Sequence, residues 1–191
     1  MAGCDGQKTG RFAQTQEALR CALVSLMEKR GYERIDAVSL CRRAHVSRST
    51  FYKHYRGIDD LLEELEGIHI RSIADLSAPI VRTPGGESDD LSFYERTYAY
   101  IMTNREDLHA LLVASPDQRF IDRWKDAIKA HIRFRQEERG RAVPDALSLE
   151  VAASAVIAGY AYCLSHLEEA SSEAVLSLVK SCLAVLDSER R

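Results

Sequence analysis

The sequence predicts an all-α protein, and three observations carry that prediction. Apolar residues recur at three- and four-residue steps in one segment after another, and no segment alternates as a strand would. The segments are separated by residues that start and stop helices. Residues 36–56, DAVSLCRRAHVSRSTFYKHYR, have the pattern of two short helices joined by a tight turn.

Taken in order, residues 1–10 are small and polar and are expected to lack fixed structure. A first helix is expected from Phe12 to Arg30, because Leu19, Ala22, Leu23, Leu26 and Met27 make one apolar stripe. Gly31 stops it, and Lys29 and Arg30 complement the dipole of the last turn. Asp36 is the N-cap of a helix over 37–44, with Val38, Leu40, Cys41 and Ala44 as its apolar side. His45-Val46 makes the turn, and Ser47 caps a second helix over 48–55. Phe51 is expected to face inward, while Tyr52 and Tyr55 fit either side.

Gly57 can cap a fourth helix, with Asp59 and Asp60 in its first turn. Leu61, Leu62, Leu65, Ile68 (or His69), Ser72 and Ile73 carry that helix to about 78. Pro79, Pro84, Gly85 and Gly86 then break the chain. Ser88 or Asp89 starts a helix to about 103, with Leu91, Tyr94, Tyr98 and Ile101 on one face. Asn104 caps a short helix holding Leu108, Leu111 and Leu112. Ser115-Pro116-Asp117-Gln118 has the order of a capping box, with Ser115 as cap and Pro116 as first helical residue. The helix it opens carries Phe120, Trp124, Ala127 (or Ile128) and His131, and ends at Gly140. Pro144-Asp145 opens a helix over 146–168 rich in small residues, which let helices approach closely. Ser171 or Ser172 caps a last helix, 173–187.

The second helix of the 36–56 pair has a distinctive chemistry. Arg48, Ser49, Thr50, Tyr52, Lys53 and His54 can all donate hydrogen bonds, and none is negatively charged. A helix entering a major groove needs such donors for base edges and phosphates, with its N-terminal residues nearest the bases. Charge is segregated along the chain in the same sense. Residues 1–57 hold 11 Lys/Arg against 5 Asp/Glu, and residues 58–191 hold 15 against 24. A basic front and an acidic rear suit a head that binds a polyanion on a solubilising body; solvated faces alone could give the same segregation.

Other chemistries lack their signatures. No nucleotide-binding glycine loop, HExxH or GxSxG occurs, so the chain is not expected to be an enzyme or to need a cofactor. The five cysteines, at 4, 21, 41, 163 and 182, form no CxxC pair and read as reduced thiols. The six histidines include no pair spaced for two ligands on one helix. His109, His131, Cys163 and His166 could converge in the body, but such residues are more commonly core or surface groups, and no metal is expected. The N-terminus lacks the apolar core of a signal peptide, and the longest nearly apolar run, Val151–Leu164, is about 14 residues against the roughly 20 of a membrane span. A cytoplasmic protein with no membrane partner is expected.

Gly31-Tyr32, Ala44-His45-Val46-Ser47, Thr50-Phe51-Tyr52-Lys53-His54-Tyr55 and Leu61-Leu62 together resemble the N-terminal module of the TetR family of bacterial transcriptional regulators. The register holds without a gap from about 12 to 66. Two positions depart from the family pattern. His45 stands where the family usually has Gly, and Ile58 where it often has a Lys for phosphate, a role Arg56 could take.

The resemblance implies a three-helix helix-turn-helix DNA-binding domain over 11–66, joined to an all-helical effector-binding and dimerisation domain over 67–191. It implies a homodimer on a double-stranded DNA operator, a repressor released by a small-molecule effector. Ser47, Arg48, Ser49, Thr50, Tyr52, Lys53, His54 and Arg56 would contact DNA. Tyr52 is placed on phosphate by the resemblance. Beyond 88 the resemblance is weak in sequence. There Tyr94, Tyr98, Met102, Phe120, Trp124, His131 and Tyr160 are the candidates to line a ligand pocket, although the same rings would also fill a bundle core. The alternative is a regulator, repressor or activator, controlled by a partner protein through the body.

Overall fold

Helix-forming stretches bounded by self-contained caps should fold where the caps lie, and in the head they do. The computed structural model describes residues 5–77 and 90–168, together with Glu173, Ser177 and Ser181. It divides into two compact units, Met1–Ile68 and His69–Arg191. Every regular element among the described residues is helical.

The first unit opens with α1 (Asp5–Arg30). This helix begins seven residues before the expected Phe12, and part of the segment expected to be unstructured is therefore helical. An apolar stripe marks only the part of a helix that packs, so it need not reach the helix end. Leu19, Ala22, Leu23, Val24, Leu26 and Met27 are buried, the expected stripe with Val24 added. Gly31 ends α1 at φ 77, a backbone conformation that glycine adopts without steric cost. A single 3₁₀ turn, Tyr32–Arg34, leads to α2 (Ala37–Ala44).

The Asp36 carboxylate accepts the Ser39 amide at 2.7 Å, and the Ser39 hydroxyl in turn receives the Asp36 amide, a full capping box. Hydrogen bonding to the carboxylate by the Ser39 amide, and then by the Ser39 side chain, holds the Asp36 carboxyl below its usual range. His45 closes α2 in the left-handed conformation, φ 55 and ψ 35. The Val46 amide reaches back to the Cys41 carbonyl at 3.0 Å and the His45 amide to that of Arg42, the paired bonds of a Schellman stop. Ser47 then caps α3 (Arg48–His54), accepting the Thr50 amide at 3.1 Å. Leu40, Cys41 and Phe51 are buried, but Val38 is 55% exposed, against the expectation for it. The Asp36 cap fixes the phase of this helix and turns Ser39 inward in its place, bonded to the Arg30 guanidinium.

Helix α4 (Ile58–Ser77) contributes to both units. Asp60 turns back to accept the Arg56 amide at 3.0 Å, a bond that lowers its pKa. Leu61, Leu62, Leu65, Glu66, His69 and Ile73 are buried on it. The Pro/Gly stretch 79–86 lies outside the described residues.

In the second unit, α5 (Asp90–Thr103) buries Phe93, Tyr94, Thr97 and Ile101. Asn104 precedes α6 (Arg105–His109), but its side chain does not cap that helix; it donates to the Tyr100 carbonyl at 2.8 Å, closing α5 instead. A π turn, Ala110–Ala114, follows and buries Leu111 and Leu112. The Ser115 and Asp117 amides are spent on the Ala110 and Leu111 carbonyls of this turn. The cap of the next helix therefore falls two residues after Ser115. Asp117 accepts the Arg119 and Phe120 amides at 2.8 and 3.2 Å and starts α7 (Gln118–Glu138). Phe120, Trp124, Ile128, His131, Ile132 and Gln136 are buried, so Ile128 rather than Ala127 faces the core.

Gly140, at φ 63, closes α7 with the same paired bonds as α2, Arg141 to Gln136 and Gly140 to Glu137. Asp145 caps α8 (Ala146–Ser165) by accepting the Leu147 and Ser148 amides. Helix α8 ends three residues before the expected 168, and its 20 residues are long and apolar enough, by length and composition, to cross a membrane. Its buried side, Leu149, Ala152, Ala153, Val156, Ile157, Tyr160, Cys163 and Leu164, is core of the second unit. The expected last helix, 173–187, lies outside the described residues apart from Glu173, Ser177 and Ser181.

Candidate nucleic-acid interface and ligand site

Helix α3 is seven residues long, too short to hold itself, so its position depends on what it packs against. Phe51 is fully buried and Tyr55, its C-cap, is 4% exposed. The Tyr55 hydroxyl donates to the Glu64 carboxylate on α4 at 3.1 Å. The same carboxylate receives the Arg20 guanidinium at 2.6 Å and the Gln16 amide at 3.3 Å, both from α1. Glu64 thus ties three helices at one point. Burial and the neighbouring Glu64 push the Tyr55 hydroxyl up to about 12, so it stays a donor. Burial opposes the charge of Arg20, yet its bonds to Glu17 and Glu64 hold the guanidinium above its usual range.

With Phe51 and Tyr55 inward, the opposite face of α3 is fixed outward. Ser47, Arg48, Ser49, Tyr52, Lys53 and Arg56 are exposed, and Thr50 and His54 are half-buried. The Ser47 hydroxyl lies 2.9 Å from that of Ser49 and 2.8 Å from that of Thr50, so part of this hydroxyl capacity is spent locally. The Arg56 guanidinium sits 3.6 Å from Asp60 but is 92% exposed, an ion pair too solvated to hold it. His54 is placed differently from the rest: its ring lies 4.1 Å from that of Phe12, and its Nδ1 is buried.

In the second unit the seven candidate ligand residues fall on α5, α7 and α8. Tyr94, Phe120, Trp124, His131 and Tyr160 are buried, and Tyr98 and Met102 are half-buried. The rings run in contact from Phe120 to Trp124 (5.7 Å between centroids) and from Trp124 to Tyr160 (5.9 Å). Tyr94 meets His131 edge-on at 5.9 Å. Phe93, absent from the sequence candidates, stacks on His131 at 3.9 Å. Burial drives the Tyr160 hydroxyl strongly upward, with Tyr94 and Cys163 adding to the effect. Burial likewise raises Tyr98, again with Cys163 nearby. The Trp124 indole N–H, the Tyr160 hydroxyl and the Thr97 hydroxyl are buried with no hydrogen-bond partner among the described residues. His109, His131, Cys163 and His166 do not gather as a metal-binding group among those residues.

One further residue escaped sequence reasoning. His69 is 1% exposed, with Nδ1 2.8 Å from the Tyr100 hydroxyl and Nε2 3.3 Å from the Asp107 carboxylate. The imidazole is thus held at both nitrogens, by a hydroxyl on one side and a carboxylate on the other. In sequence His69 was only an alternative to Ile68 on an apolar stripe.

The helix pair, its left-handed turn and its exposed donor face define a helix-turn-helix. Residues 22–65 match the family described as bacterial regulatory proteins, tetR family. The fold extends the likeness to nearly the whole chain. A TetR transcriptional regulator from Streptococcus agalactiae 2603V is 21% identical with a TM-score of 0.68, covering 94% of this chain and 97% of that one. FadR of Thermus thermophilus, a TetR family repressor in complex with lauroyl-CoA, is 16% identical with a TM-score of 0.53, covering 92% and 95%. A SmeT–triclosan complex is 14% identical with a TM-score of 0.54, covering 91% and 88%. At these identities the likeness is one of fold. No curated protein matches the sequence.

Proposed function

We propose that this protein is a cytoplasmic, dimeric, sequence-specific repressor that a small-molecule effector releases from its operator. The observation that carries the reading is the outward face of α3, which presents Arg48, Ser49, Tyr52 and Lys53 while Phe51 and Tyr55 anchor the helix. In this proposal residues 11–66 read DNA and 67–191 regulate. Arg48 and Ser49, in the first turn, address base edges; Ser47, Thr50, Tyr52, Lys53 and Arg56 address phosphates. The ring contact with Phe12 favours a packing role for His54 over a phosphate contact.

Dimerisation is supported by α8. Its exposed positions Leu147, Val151, Ser154, Ala158 and Tyr162 follow steps of four, three, four and four, a single helix face without a charged residue. A second copy meeting this face about a two-fold axis would pair two heads on a palindrome. The effector half is supported by the buried aromatic cluster and its unpartnered donors, and by the ligands named for two proteins of similar fold. A ligand shifts the operator-bound population only by its differential affinity for the two states, typically about 1–3 kcal/mol.

The test is binding to promoter fragments from the protein's own locus. A specific, salt-sensitive shift over a partly palindromic site is expected, with half-sites about 34–36 Å or a multiple apart. Binding that is equal on all fragments would sink the proposal.

A further inference from the structure

The buried polar groups of the second unit are unusual in kind. The Trp124 indole N–H, the Tyr160 hydroxyl and the Thr97 hydroxyl belong to residues within 1% of complete burial, yet none has a hydrogen-bond partner among the described residues. For packing alone, Phe at 160 and Val at 97 would fill similar space without stranding a polar atom. The Trp124 and Tyr160 rings lie 5.9 Å apart at 24°, and Tyr160 is close enough to Tyr94 and Cys163 to feel both electrostatically. Thr97 stands one turn after Tyr94 on the same buried side of α5. Three stranded groups therefore come from α5, α7 and α8, which together build this core.

Charge is the second observation. Among the described residues, the buried polar residues of this unit are His69, Thr97, His131 and Gln136; no Lys, Arg, Asp or Glu is among them. His69 is committed to Tyr100 and Asp107. The His131 ring stacks on Phe93 and meets Tyr94 edge-on. An ionic ligand entering here would lose its hydration without gaining a fixed counter-charge. The indole N–H can only donate, and both hydroxyls can donate as well.

Resting on the reading that the body binds a small molecule, we infer that its effector is a neutral, flat, mainly apolar compound bearing hydrogen-bond acceptors such as a carbonyl or ether oxygen. The rings of Phe120, Trp124 and Tyr160 supply stacking surface, and the stranded donors supply orientation. Neither a carboxylate nor an amine fits these groups as well.

Three probes of one shape test this on the full chain by equilibrium dialysis: 2-acetylnaphthalene, naphthalene and 2-naphthoate. The ketone is expected to bind about ten-fold tighter than either of the others, the worth of one well-made hydrogen bond. In Tyr160→Phe, and independently in Thr97→Val and Trp124→Phe, the preference for ketone over naphthalene should fall. Preservation of fold is checked by far-ultraviolet circular dichroism, and Tyr160→Phe and Thr97→Val change little volume. Probes that bind without an acceptor preference, or with naphthoate the tightest, overturn this inference and leave the effector reading standing. A ketone preference that survives all three variants also overturns it. If none of the three probes binds, both this inference and the effector reading fall.

Discussion

Removing a single oxygen tests whether Glu64 holds the recognition helix. Tyr55→Phe keeps the ring of a residue 4% exposed and deletes only the hydroxyl that donates to Glu64 at 3.1 Å. A hydrogen bond to a charged partner contributes about 1.5–3 kcal/mol. The Glu64 side chain is 28% exposed and keeps Arg20 at 2.6 Å, so the lower end applies, about 1.5 kcal/mol. For a chain of this size that corresponds to a fall in Tm of about 3–6 °C. Glu64→Ala should cost more, about 2 kcal/mol, because it strands the buried Tyr55 hydroxyl and removes one of the two carboxylates on Arg20. The decisive measurement is a double-mutant cycle by urea unfolding. In the Glu64→Ala background, Tyr55→Phe should cost nothing or stabilise, giving a coupling of about 1–2 kcal/mol. If Tyr55→Phe costs the same in both backgrounds, the hydroxyl and carboxylate do not act together, and Glu64 does not anchor α3.

Four other outcomes are expected. His45→Gly should raise stability by about 0.5–1 kcal/mol in urea unfolding, since φ 55 costs a residue with a Cβ more than glycine's extra chain entropy; destabilisation would mean that the imidazole itself holds the turn. The Glu150 carboxyl is held down to about 2 by hydrogen bonds from Lys125 and Lys129. Its contribution is therefore complete above its ordinary value of 4.5 and lost as pH falls toward about 2, so the stability gap between wild type and Glu150→Gln should close across that window. Arg56→Ala should weaken binding to all DNA sequences alike and lower the salt slope by about one for each phosphate the guanidinium neutralises, whereas Arg48→Ala should relax the preferred site in a selection from random duplexes. Val151→Glu, on the uncharged α8 face, should yield monomers by sedimentation with the helical content intact.

Local chemistry made the head legible. Asp36, Ser47 and Gly31 each act on amides or dihedrals within a few residues, so the end of α1 and both ends of α2 and α3 could be read within a residue or so. The same reasoning misplaced the start of α7, because the preceding π turn took the Ser115 and Asp117 amides and left the cap to the Asp117 carboxylate. What the sequence hid were choices of distant partner. Nothing in the sequence singled out Glu64, which Arg20 and Tyr55 both meet, and His69 stood only as an alternative to Ile68 on an apolar stripe although Tyr100 and Asp107 flank it. Val38 was misjudged for a related reason: residue type suggested burial, but the phase set by the Asp36 cap turned it out. The aromatic residues of the body were visible as a supply of rings, but not which of their polar atoms would be left unpartnered.

The burial of Trp124 also makes the chain its own instrument. It is the only tryptophan, it is fully buried, and it belongs to the second unit; the first unit contains tyrosines but no indole. Selective excitation of tryptophan therefore reports the unfolding of the body and is blind to the head, while far-ultraviolet dichroism sums the helices of both. Superimposed melting curves from the two signals mean that head and body unfold as one cooperative block. Separated curves give the stability of each half from one sample, without a label or a truncation.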